Sequence, residues 1–379
     1  MVLTTLAAAA AALWTGILLA PWRAWSTCER LDGSPDSRDG DATTDCSGVT
    51  ALIPARDEAA VIGNTIAALR AQGAGLEIVV IDDQSDDGTA DAARSAGGDS
   101  CRVIAGSPMP GGWVGKMWAL EQGRHSVRTP LTLLLDADIE LRPGILAALL
   151  ARRRLDGRQL LSLMAVLEME STWDKLLVPA FVYFFKLLYP FRISNSPSRL
   201  VAAAAGGCVL VETGMLEQIG GFVAIRDELI DDCALARRIK SAGGRTWIGL
   251  THSAVSRRRL GTLRASWHMV ARSAFAQLHF SGLLLACCVV LLAVAFWIAP
   301  LAWITGPATA RWLAAIASCA MIASYIPVLR FYGRSPLWAL ALPVTGTLYL
   351  LMTVSSTIRS WRGVRATWKG RTYGGAVGP

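Results

Sequence analysis

The chain has 379 residues, is 53% hydrophobic and carries a formal charge of +8. It is too apolar for an ordinary soluble protein and too charged for a chain built only of membrane helices, which leaves a soluble domain fastened to a membrane. The positive charge lies mainly in residues flanking apolar segments, and no basic helix interleaved with aromatics is found, so the composition argues against a nucleic-acid partner.

In chain order, an uncharged apolar stretch from Val2 to Ala20 comes first, close to the roughly 20 residues that span a hydrocarbon core. It has no basic n-region, so residues 1–22 read as a retained anchor rather than a cleaved signal. Residues 23–48 are rich in Asp, Ser, Gly and Thr and read as a flexible linker. From Val49 onward, strand and helix patterns alternate: strand Thr50–Pro54, helix Glu58–Ala71, strand Glu77–Ile81, helix Gly88–Ala96, strand Arg102–Ala105, helix Lys116–His125 and strand Leu131–Leu135. This alternation predicts an α/β domain over 49–275, with a mostly parallel, mixed sheet and helices on both faces. A helix at Pro143–Arg154 and strands at Leu160–Leu167 and Thr246–Leu250 follow. The apolar stretch Leu176–Phe191, with Pro179, Pro190 and one embedded charge, Lys186, suits a helix lying in the membrane interface; burial in the core is the competing reading.

Three further spans are expected within 276–358, at Gly282–Thr305, Trp312–Leu329 and Leu337–Ile358, ahead of a basic tail over 359–379. Arg23 and Arg30 on one edge of the central domain, and Arg257, Arg258, Arg259, Arg264 and Arg272 on the other, place that domain in the cytoplasm. Arg359, Arg362, Arg365, Lys369 and Arg371 ask for the same side, which three full crossings do not allow. Leu337–Ile358, interrupted by Pro343 and Gly346, is therefore expected to enter and leave on one face. The eight cysteines are scattered without a CxxC pair, as reduced thiols would be.

Candidate chemistry gathers at strand ends. The run Leu131–Leu135 stops at Asp136-Ala137-Asp138. Such a pair can cap the next helix, or can hold Mg²⁺ or Mn²⁺ with substrate phosphate oxygens completing the shell. The first strand ends in Pro54-Ala55-Arg56-Asp57-Glu58 and the second in Asp82-Asp83-Gln84-Ser85-Asp86-Asp87. Asp82 or Asp83 could accept the imide N–H of a base, while a later aspartate caps the following helix. Gly111-Gly112-Trp113-Val114-Gly115-Lys116 is not a Walker loop, yet it could offer backbone N–H groups and one ammonium to a diphosphate. Gly206 and Gly207 suggest a close backbone approach, plausibly to the transferred group. Asp227, Glu228, Asp231 and Asp232 place four acids within six residues, more than a helix start needs, and one of them could be a general base. His252 could complete a cation shell with Asp138 or serve only the structure.

Taken in order, Pro54-Ala55-Arg56-Asp57-Glu58, Asp82-Asp83-Gln84-Ser85, Gly112–Lys116, Asp136-Ala137-Asp138, Gly206-Gly207 and Asp231-Asp232 resemble the motif series of family 2 glycosyltransferases with a GT-A fold. The trailing helices and Trp368–Tyr373 look like the membrane-bound branch, and the texture around Gly112–Leu120 and Asp231–Arg238 is similar to hopanoid-associated members. The resemblance implies that Pro54, Arg56 and Glu58 line the nucleotide pocket, Asp82 or Asp83 contacts the base, and Lys116 faces the diphosphate. It implies that Asp136 and Asp138 hold the phosphates, Asp138 through Mg²⁺ or Mn²⁺, and that Asp232 is the base of an inverting transfer with Asp231 beside it. The Gln-x-x-Arg-Trp motif of processive members is missing, the nearest string being Met269–Ser273, so transfer of one sugar from a nucleotide-sugar donor, expected to be a UDP-sugar, to a lipid acceptor at the bacterial inner membrane is the activity the resemblance implies. A polyprenyl-phosphate acceptor, or a non-catalytic nucleotide-binding scaffold, are the rival readings.

Overall fold

The computed structural model describes residues 1–33, 44–368 and 371–374. The chain forms two compact units, one of Met1–Cys28, Met169–Arg192 and Leu260–Pro379, the other of Glu29–Glu168 and Ile193–Arg259.

The second unit is built on strands β1 (Val49–Ala55), β2 (Glu77–Asp82), β3 (Cys101–Ala105), β4 (Leu131–Leu135), β5 (Ile139–Leu141), β6 (Leu160–Leu167), β7 (Cys208–Glu212) and β8 (Thr246–Ser256). They form one sheet in the order β3-β2-β1-β4-β7-β6-β8-β5. β1, β2, β3 and β4 pair in parallel, whereas β7 runs antiparallel to both β4 and β6 and β5 antiparallel to β8. β1 and β4 are buried along their whole length because both faces of the sheet are covered. Side chains alternate between two cores, as a period of two requires. Ala51, Ile53, Leu133 and Leu135 meet Ile62, Ile66 and Leu69 of the helix Ala59–Arg70 on one face. Leu52 and Leu134 meet Met117 and Leu120 of the helix Gly115–Arg124, and Leu235 and Ile239 of the helix Asp231–Ser241, on the other.

Several sequence expectations are corrected. β5 and β7 carry no pattern long enough to read, and the strand expected at Thr246–Leu250 runs on to Ser256. The helix expected at Pro143–Arg154 is Ile145–Asp156, because Gly144 before it is left-handed, with φ 79°. The linker is partly docked: Leu31 N–H donates to Leu250 C=O at 3.0 Å, Leu250 N–H to Glu29 C=O at 2.8 Å, and Cys46 N–H to Ala74 C=O at 2.8 Å. Its residues 34–43 lie outside the described ones.

In the first unit, four helices among the described residues are long and apolar enough to cross a membrane: Val2–Leu19, Gly282–Thr305, Ala308–Phe331 and Pro336–Trp361. The last is helical throughout, against the expected break. Pro343 falls in the first turn of its α-helical part, where the missing N–H costs nothing, and Gly346 lets Phe296 approach to where a Cβ would meet it at 2.3 Å. The helix expected to lie in the interface is Thr172–Leu188, opened by a Ser171/Asp174 capping box. Its Lys186 is not displayed on a polar face; it is fully buried, with Nζ 3.8 Å from the centre of the Phe191 ring.

Candidate active site

Chain direction reverses at β1: the connections run outward through β2 to β3, then return to β4 on the other side of β1. Ligands of open α/β sheets bind outside the carboxyl ends of the strands at such a point. β1 pairs with β4 only through Val49–Leu52 and continues beside β2 alone as far as Ala55. Pro54 lies past the β4 pairing, where a strand tolerates a residue with no donor.

The loops after β1 and β2 are bound to each other. Arg56 Nη1 donates to the Asp83 and Gln84 carbonyls at 2.5 and 2.9 Å, Asp57 N–H to Ser85 Oγ at 3.0 Å, and Glu58 N–H to Thr89 Oγ1 at 2.8 Å. Asp57 and Gln84 take left-handed backbone angles, with φ 51° and 58°, held by these cross-links. Arg56 and the Glu58 backbone thus tie the two loops together. Asp83 is fully buried, and Asp82 Oδ1 is buried with no hydrogen-bond donor among the described residues.

Of the acids and glycines picked out between β4 and the helix Asp231–Ser241, Asp136, Asp231, Asp232, Gly206 and Gly207 come together around Lys116. Lys116, in the first turn of its helix, lies 2.7 Å from Asp136 Oδ1 and 3.6 Å from Asp231 Oδ2, with Gly206 C=O at 3.5 Å. Burial alone would depress this ammonium, but Asp136 and then Asp231 more than offset it and hold Lys116 above its ordinary value. Asp232 sits at the helix start with both oxygens engaged: Gly206 N–H donates to Oδ2 at 2.8 Å and Cys233 N–H to Oδ1 at 2.7 Å. Burial, and after it the Asp231 charge, push its carboxyl up to about 7 against those two donors and Lys116. Gly207 C=O accepts the Asp136 N–H at 3.1 Å, so β4 and the glycine pair are fastened together. A Cβ on Gly206 would stand 3.3 Å from Lys116 Nζ, which accounts for glycine there.

Asp138 faces another neighbour. Its Oδ2 accepts the Ser256 hydroxyl at 2.8 Å, and its C=O accepts the Arg257 N–H at 2.8 Å. The structure does not bring His252 to it. His252 lies four residues back along β8 from Ser256, in the irregular stretch between Leu250 and Val255, and its Nδ1 is 3.5 Å from Asp32 Oδ2. Among the described residues no three His, Cys, Asp or Glu side chains cluster as a metal cage. Two hard carboxylates on one strand end do fit Mg²⁺ or Mn²⁺, ions usually held by one or two carboxylates and by substrate phosphates. Ser256 was missed from sequence because its place opposite Ile139 depends on a pairing between residues more than a hundred apart in the chain.

An α/β sheet with acids gathered at its switch point defines a GT-A-like fold, a mixed sheet clothed by helices on both faces. Residues 47–276 match the family described as "Glycosyltransferase like family 2". The chain belongs to glycosyltransferase family 2. In fold it is similar to a mannosyltransferase from Pyrobaculum calidifontis solved in complex with GDP-Man and Mn2+, with a TM-score of 0.55 and 20% identity over 95% of this chain and 99% of that one. It is 31% identical over 104 residues to the 4,4'-diaponeurosporenoate glycosyltransferase of Staphylococcus haemolyticus and 34% identical over 112 residues to that of Staphylococcus aureus. These matches cover 27% and 29% of the curated relatives, under a third of their length.

Proposed function

We propose that the chain transfers one sugar from a nucleotide-sugar donor to a lipid acceptor at the bacterial inner membrane, with its α/β unit in the cytoplasm. The observation that carries this reading is the convergence of Lys116, Asp136, Asp231, Asp232 and Gly206 at the switch point. On this reading the nucleotide enters beside Pro54, against the wall held by Arg56 and Glu58. Asp82, with its buried oxygen lacking a donor, or Asp83 beside it, accepts the base N–H. Asp136 and Asp138 would hold Mg²⁺ or Mn²⁺ together with the phosphates, and the bound cation would supply positive charge to the departing diphosphate.

Asp232 then takes the acceptor hydroxyl proton as the acceptor oxygen bonds to the anomeric carbon and the bond to the nucleoside diphosphate breaks, inverting that carbon. A carboxyl raised to about 7 is matched to this task near neutral pH. Lys116 balances Asp136 and Asp231 and contributes positive charge beside the leaving group.

A lipid acceptor is supported by the four apolar helices and by the relatives' name, which specifies a carotenoid acid. The hopanoid link rests on the residues around Gly112–Leu120 and Asp231–Arg238. The test is sugar transfer by the purified full chain in vesicles carrying a bacterial lipid extract, across a panel of UDP-, GDP- and CDP-sugars. Labelled lipid from one donor is expected; no transfer and no donor hydrolysis from any of them would refute the reading.

A further inference from the structure

Asp138 needs something to aim its carboxylate, and the end of β8 supplies it. Ser256 is buried, 4% exposed, and sits opposite Ile139, the residue after Asp138. Its Oγ accepts the Arg258 N–H at 3.2 Å, which leaves the hydroxyl proton to be donated to Asp138 Oδ2 at 2.8 Å. Backbone and side chain of Asp138 are therefore held from the same two residues, because Arg257 N–H bonds its carbonyl. The Arg257 guanidinium in turn bridges Glu140, 2.5 Å away and just after β5 begins, and Glu168, just past β6. This clamp fixes the end of β8 against the strands on either side.

We propose that Ser256 is a positioning residue for the divalent cation: with one oxygen of Asp138 tied to this hydroxyl, the carboxylate cannot swing, and it meets the cation already oriented. The inference rests on the reading of Asp138 as a cation ligand. Losing an outer partner of a metal ligand commonly costs about 10- to 100-fold in metal affinity.

The test is Mn²⁺ binding, followed by the electron paramagnetic resonance signal of the free ion, to the detergent-solubilised full chain with saturating UDP or, in a separate arm, GDP. Native protein, Ser256→Ala, Ser256→Thr and Asp138→Ala are compared, and nucleotide binding without metal serves as the check on folding. The expected result is a Kd raised roughly tenfold or more in Ser256→Ala, recovery in Ser256→Thr, and loss of binding in Asp138→Ala. If Asp138→Ala abolishes binding but Ser256→Ala changes it less than about twofold, far below the loss expected of an outer partner, the proposal falls and the Asp138 reading stands. Equal weakening in Ser256→Ala and Ser256→Thr would also overturn it, since the hydroxyl would not be the agent. Native-like binding in Asp138→Ala would remove the reading beneath it.

Discussion

Replacing Asp232 with Asn probes the proposed base with little change of shape. A positioned general base contributes about 10²- to 10⁴-fold, or roughly 3–5 kcal/mol at 1.36 kcal/mol per decade. The structure adds a smaller cost: Asp232 accepts N–H groups from Gly206 and Cys233, one on each oxygen, and an amide can accept only on its oxygen. One charge-assisted hydrogen bond is lost, about 1.5–3 kcal/mol in isolation. Against that stands relief of a buried charge. The folded carboxyl is raised to about 7 from an ordinary 3.8, so the native state binds a proton that the unfolded chain has released; stability falls as pH rises between those values and stays lowered above them. Asp232→Asn should therefore compare best with the native chain in apparent Tm at pH 8 and progressively worse toward pH 5. In a transfer assay, native kcat/KM should rise with pH through a limb near 7, because the base must be ionised, and Asp232→Asn should lose at least about a hundredfold and that limb with it. A variant within tenfold of native, or a native profile flat from pH 5 to 9, would refute the assignment.

Lys116 lowers the Asp232 carboxyl, so Lys116→Met should shift the ascending limb of kcat/KM to higher pH as well as reduce its plateau; an unmoved limb would count against the coupling. Gly206→Ala should cut transfer about tenfold or more, since sub-ångström misplacement at a reacting centre is costly, while apparent Tm changes little: the added methyl meets Lys116 Nζ at 3.3 Å and Asp232 at 3.5 Å. His252→Ala should leave the Mn²⁺ concentration for half-maximal activity unchanged, because His252 faces Asp32; a large rise in that concentration would restore it to the metal site. Arg56→Ala removes two hydrogen bonds between the β1 and β2 loops, and nucleotide Kd by calorimetry should weaken by about thirtyfold, the equivalent of two bonds at roughly 1 kcal/mol each.

The α/β core was legible because short apolar runs that end in charge, such as β1 and β4, alternate with helical patterns, as in strands buried on both faces of a sheet. The acids at the helix start Asp231–Ser241 stood out by excess, and the glycine pair by its place after an alanine run. β5, three residues long, and β7, behind an alanine run, could not be read, since both exist through antiparallel pairing with distant strands. For the same reason Ser256 was invisible and His252 misassigned: which residue of β8 faces Asp138 is a matter of register, which composition does not encode. The break expected at Pro343 failed because a proline in a first turn looks, in sequence, like one in a helix interior.

The central claim is that the carboxyl ends of β1, β2 and β4 form a metal-assisted nucleotide site. Its most direct test is calorimetric binding of UDP, GDP and CDP to the solubilised chain, each with and without Mn²⁺, in native protein and Asp138→Ala. One nucleotide should bind much more tightly with Mn²⁺, and Asp138→Ala should lose the gain due to metal. Absence of binding by all three, with and without the ion, would contradict it.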